Sequence, residues 1–160
     1  MNELYPGTVV NYLDAGFPLF NGYPLTPHLS HNDGKKIDIA LFYIDKQSGK
    51  PSNHTPSPIG YGVYEEPLSN EINQPFICQQ NGNWQYGFLQ NLVSQNKKSD
   101  FTFDEERTRS VCNYFTSDSS IEKIFIEPHL KTRLKLSSNK VRYHGCGAVR
   151  HDDHIHIQVY

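Results

Sequence analysis

An α+β fold with a mostly antiparallel sheet and flanking helices is the architecture the sequence predicts, and three observations carry the prediction. Lys36 to Ile44 is apolar on both faces and rich in Ile, Phe and Tyr, which reads as a strand buried on both sides. His154 to Tyr160 alternates in side-chain character and reads as a terminal strand. Between them lie helical spacings without a strand–helix–strand rhythm, which disfavours a parallel sheet. Ten Tyr, nine Phe, ten Pro and 11 Gly agree with a loop-rich fold rather than a helix bundle.

Each element follows from local chemistry. Residues 7–23 are extended and turn-rich, punctuated by Gly7, Gly16, Pro18, Gly22 and Pro24. Residues 45–60 are polar with Pro and Gly and predict an exposed loop. Residues 61–82 carry no clear periodicity. Trp84, Phe88, Leu89, Leu92 and Val93 fall near helical spacing and predict a helix over 84–94, with Trp84 and the tyrosines in the core. A second helix is predicted over Phe103 to Phe115. Asp104 would cap it, and Glu105 and Glu106 in its first turn suit the positive end of the helix dipole. Ile121 to Ile126 reads as a strand ended by Pro128, and His129 to Leu136 as a short basic helix. Residues 137–153 read as a polar loop, with Asp152 and Asp153 as turn residues.

One domain over residues 1–160 suits this length, which can bury a core without a metal or disulfide staple. A formal charge of −2 and basic runs of no more than two residues exclude a general pull toward nucleic acid. No stretch has the length of a membrane-spanning helix. MNELYPGTVV lacks a basic region followed by an apolar one, so no signal peptide is expected within this chain. The chain is then either cytosolic or the remainder after a removed leader. Cys78, Cys112 and Cys146 are too few and too widely spaced for a disulfide framework. One bridge with a free thiol and three free thiols are both open.

Chemistry concentrates in two histidine clusters. The first, Pro27 to Ile39, is PHLSHNDGKKIDI; the second, His151 to Val159, is HDDHIHIQV. In a strand, residues i and i+2 share a face, so His154, His156 and Gln158 point one way while Ile155, Ile157 and Val159 point to the core. Asp38 opens the early strand, and the small Ala40 beyond it leaves room above the carboxylate. Imidazoles with a carboxylate suit Zn²⁺, and three protein ligands leave a fourth position for water. Geometry allows either His154 or His156 as the third ligand.

The pattern H-x-x-H-x6-D followed by H-x-x-H-x-H resembles the penicillin-insensitive murein endopeptidases. That family belongs to a wider group with D-Ala-D-Ala carboxypeptidases, lysostaphin-type enzymes and the hedgehog signalling domain. IEKIFIEPHLKTRL, Ile121 to Leu134, also resembles the family's strand and lysine-bearing helix, whereas residues 45–100 carry none of its motifs. The resemblance implies a hedgehog/DD-peptidase-like fold with Zn²⁺ on His31, Asp38 and His156. It implies active-site roles for His154 and His151, and a supporting role for His28. The implied activity is that of a D,D- or L,D-endopeptidase or carboxypeptidase on peptidoglycan peptides, outside the cytoplasm. A non-catalytic zinc-containing binding module of the same fold is the alternative, and a redox or structural protein with surface histidines is a third reading. Glu127 is a spare general base, although Glu127 and His129 around Pro128 read first as a polar turn. His144 and Cys146 read as an exposed loop that could rim the site, and His54 as plain loop.

Overall fold

The computed structural model describes residues 3–15, 22, 31–85, 87 and 89–160. Five strands form the larger sheet: β1 (Tyr12–Ala15), β2 (Lys36–Ala40), β6 (Ile121–Phe125), β7 (Val141–Arg142) and β8 (His154–Val159). Their order is β1-β2-β8-β6-β7, antiparallel except for the β6–β7 pair. A small antiparallel sheet, ordered β4-β3-β5, is built from β3 (Tyr43–Asp45), β4 (Lys50–Ser52) and β5 (Phe101–Phe103). Helices α1 (Gln74–Gln80), α2 (Leu89–Leu92), α3 (Glu105–Ser117) and α4 (Pro128–Arg133) complete the fold, with a 3₁₀ turn at Asn96–Asp100. The class is α+β with mostly antiparallel sheets, as expected. No helix among the described residues is long and apolar enough to cross a membrane.

The terminal strand behaves as its alternation predicts. Ile155 and Ile157 of β8 are buried beside Ile39, Ile37 and Ile124 of the neighbouring strands. Val111 and Cys112 of α3 and Leu130 of α4 close over this face. Each fully buried isoleucine side chain contributes roughly 1.5–3 kcal/mol relative to exposure. The opposite face of the same strands therefore has a fixed position, and it carries His154, His156 and Asp38. Asp104 caps α3, its Oδ1 accepting from Arg107 N at 3.0 Å. Arg107, wholly buried, then donates to the carbonyls of Tyr43 and Ser52 and ties α3 to the small sheet.

Several local expectations need correction. The apolar run 36–44 is two strands in two sheets. The chain turns at Leu41 and Phe42, both buried, where Phe42 O accepts from Asp104 N at 2.9 Å. A run apolar on both faces fits either arrangement, so periodicity alone misses the break. The expected loop 45–60 contains β4, made by a turn in which Asp45 Oδ1 accepts from Ser48 N and Gly49 takes φ +66°. The unreadable stretch 61–82 holds α1, capped by Asn73 Oδ1 on Phe76 N. The helix expected over 84–94 shrinks to α2, because Gln85 takes a left-handed φ of +48° that breaks helical continuity. Trp84 is 66% exposed rather than in the core. The loop 137–153 includes β7 and ends in a buried run from Arg150 to Asp153. Cys78 and Cys146 form a disulfide, and Cys112 is a buried free thiol.

Candidate metal centre

Strand register assembles the centre. β2 and β8 pair so that Asp38 lies opposite His156 and Ala40 opposite His154, and β6 sets Phe125 on the other side of His156. His31 arrives from the segment just before β2. His31, Asp38 and His156 are all buried. Asp38 Oδ1 lies 2.9 Å from His156 Nδ1 and 3.2 Å from His31 Nε2, and the two ring nitrogens are 3.1 Å apart. Around a tetrahedral Zn²⁺ with bonds of about 2.0–2.1 Å, adjacent ligand atoms stand roughly 3.3 Å apart. The three edges here approach that value. One proton cannot serve two ring nitrogens and a shared carboxylate oxygen, whereas a cation at their common point takes a lone pair from each. His31, Asp38 and His156 thus form a group able to hold a metal ion.

Groups behind the ligands hold them in place. The Asp14 carboxylate of β1 stands 3.8 Å from His31 Nδ1, while Nε2 of the same ring faces Asp38 and His156. Tyr61 donates from its hydroxyl to Asp38 Oδ2 at 2.9 Å. Burial works against the charge on Asp38, but His154, His156 and His31 outweigh it and hold the carboxyl well below the usual range. Desolvation holds the His156 pKa below its ordinary value, against the pull of Asp38.

Two further histidines beside the ligands are pushed in opposite directions. Burial alone would lower His154, but Asp38 and Asp153 override it and raise its pKa to about 9. His154 Nδ1 donates to Asp153 Oδ1 at 2.5 Å, and its Nε2 is 3.6 Å from Asp38 Oδ2. A cation on Asp38 would take part of that carboxylate's field, while Asp153 keeps its own. His151 is buried with its ring centroid 4.9 Å from that of His154 and 5.7 Å from that of His156. Desolvation, and then the neighbouring His154 and His156, hold its pKa well below normal. The two imidazoles thus feel opposite influences, carboxylates around His154 and burial around His151.

The structure thus brings His31, Asp38, His151, His154 and His156 together, while His28 lies outside the described residues. His54 stays on an exposed loop, as expected. His144 is exposed yet belongs to the rim: its ring stacks on Phe125 at 4.1 Å and lies 5.4 Å from His151. The polar turn expected at Glu127 and His129 is instead fully inside. Glu127 Oε1 accepts from His151 N at 3.2 Å, and desolvation raises the Glu127 pKa to about 7. His129 meets Glu65 O at 2.8 Å. Asp152 and Asp153 do form the bend before β8, as expected, and both are buried. Arg150 Nε donates to Asp152 Oδ1 at 3.0 Å, and Gly62 N donates to Asp153 Oδ2 at 2.6 Å. Sequence reasoning missed Asp14, Tyr61 and Asp153. A carboxylate beside a site histidine was a usable signal for Asp153; Tyr61 and Asp14 carried none.

Comparison with protein-family models, with characterised proteins and with solved structures gives no match to this chain.

Proposed function

We propose that this chain is a zinc-dependent peptidase of the hedgehog/DD-peptidase type that hydrolyses an amide bond in bacterial cell-wall peptides. The observation that carries the reading is the buried triangle of His31 Nε2, Asp38 Oδ1 and His156 Nδ1. Two imidazoles and a carboxylate suit zinc and leave a position for a reactant. Zn²⁺ held there supplies a Lewis acid that activates water and polarises a carbonyl. The motif order resembling murein endopeptidases supports the substrate class.

The protein's own residues divide the remaining work. His151, beside the candidate ligands, would take the proton that the attacking water gives up and return it to the departing amine. His154, held through Nδ1 by Asp153, would donate a hydrogen bond from Nε2 to the negative oxygen that develops on the scissile carbonyl. Tyr61 fixes Asp38 through Oδ2 and leaves Oδ1 for the metal. The Cys78–Cys146 bridge supports placement in an oxidising compartment outside the cytoplasm.

Turnover of purified cross-linked muropeptides tests this directly. The zinc-loaded protein is expected to release cleaved peptides. His151→Ala should lower turnover by roughly 10²–10⁴-fold, the range for losing a general acid–base group, with zinc retained. Tight muropeptide binding without cleavage would overturn the peptidase reading in favour of a binding module.

A further inference from the structure

The loop between β7 and β8 carries an imidazole that is not among the candidate ligands. His144 is exposed, and one face of its ring lies on Phe125, with centroids 4.1 Å apart and planes 10° apart. Phe125 is the β6 partner of His156 in the strand register, so this stack stands beside a candidate ligand. The His144 ring centroid is 5.4 Å from that of His151 and 6.2 Å from that of His156. Stacking covers a ring face and leaves uncovered the ring edge, where both nitrogens lie. Among the described residues nothing hydrogen-bonds to those nitrogens.

The loop is held on both sides of His144. Before it, Arg142 O accepts from Ile126 N at 3.2 Å as β7 pairs with β6. After it, the Cys78–Cys146 bridge fastens the loop to α1. Tyr143 reaches the same helix, its Oη 3.0 Å from Cys78 Sγ, and accepts from Gln85 Nε2 at 3.2 Å. The turn closes where Gly145 takes φ +101° and its carbonyl accepts from Ala148 N at 3.3 Å. A surface side chain ordinarily samples several rotamers and loses that freedom when it binds. Here stacking and a tethered backbone have already restricted the imidazole, which lowers the cost of using it for recognition.

We propose that His144 is a substrate-positioning residue, which hydrogen-bonds a peptide group of the cell-wall substrate close to the amide bond held at the metal. The assignment rests on the peptidase reading above. A neutral imidazole carries one N–H donor and one acceptor nitrogen, and a peptide group carries one N–H and one C=O, so either nitrogen finds a complement. Along an extended peptide such groups recur about every 3.3 Å. The spacings of 5.4 and 6.2 Å from the two site histidines therefore correspond to one or two residues along the bound chain. His151 and His154 are buried at the centre, whereas His144 is open to solvent at its rim, where an incoming chain meets the protein first.

Steady-state cleavage of purified cross-linked muropeptide by the zinc-loaded protein tests the contact. His144→Phe keeps a ring to stack on Phe125 and removes both nitrogens. It is expected to raise KM by roughly three- to tenfold, the effect of one lost hydrogen bond, with the smaller change in kcat and with zinc content retained. His144→Gln keeps a donor and an acceptor and should recover part of the loss. A ring that served only to support the loop would give the reverse order, with Phe harmless and Gln the damaging change. Wild-type cleavage with KM unchanged in His144→Phe would overturn this proposal and leave the peptidase reading intact. If the wild type does not cleave, the same protein is titrated with the muropeptide by calorimetry. Binding weakened roughly three- to tenfold by His144→Phe then supports His144 as a peptide contact and counts only against the peptidase. Binding that ignores the substitution, or no binding at all, overturns both.

Discussion

Asp38 uses its two oxygens differently. Oδ1 faces His31 and His156, and Oδ2 accepts from Tyr61. Partners of this kind typically contribute a factor of roughly 10–100 to metal affinity. Tyr61→Phe removes only the hydroxyl, so the expected result is a zinc dissociation constant raised within that range, measured by competition with a chelating dye. An unchanged constant would show that Oδ2 needs no anchor. Glu127 makes a separate prediction through pH. Its folded pKa is raised from 4.5 to about 7 by burial. Below about pH 4.5 both folded and unfolded chains carry the proton, and the group is neutral in the balance. As pH rises toward 7 the unfolded chain loses its proton first, so folding is penalised progressively. By about pH 7 that penalty reaches about 3 kcal/mol at most. Glu127→Gln escapes it. The difference in melting temperature between variant and wild type should therefore move in the variant's favour from about pH 4.5 to 7 and then level off. Parallel melting curves across that range would contradict the assignment.

At the scale of elements, β8 was the most legible. Alternation placed Ile155 and Ile157 inward and His154 and His156 on the other face, and the structure agrees. The cap of α3 was readable as well, because Asp104 followed by two glutamates is a local signal. What stayed hidden was non-local. Nothing in 36–44 marks where one apolar run leaves the larger sheet for the smaller one. Nothing in the strand sequences sets Asp38 against His156 rather than His154; that choice rested on resemblance, and register supplies it physically. Segment 61–82 hid α1 because Gly, Pro and Tyr mask periodicity, and Tyr61 was hidden with it. Trp84 misled for a related reason. Apolar spacing suggested a buried helix face, but the left-handed backbone at Gln85 ends that periodicity and leaves the indole in solvent.

For the molecule as a whole, the site draws on both ends of the chain. His31 and His156 lie 125 residues apart yet meet at 3.1 Å, across strands whose other faces form the main core. The Cys78–Cys146 bridge anchors α1 to the loop that carries His144, closing a sequence separation of 68 residues. In the chain-entropy view a closure of that length restrains the unfolded state by roughly 4 kcal/mol. The core and the strand register hold Asp38 and His156 side by side, with or without a metal. The most direct test of this account is zinc stoichiometry by elemental analysis, wild type beside His156→Ala. The account predicts about one zinc per chain in the wild type, lost in the variant. A wild type that stays metal-free after incubation with zinc, or a variant that binds it equally well, would contradict it.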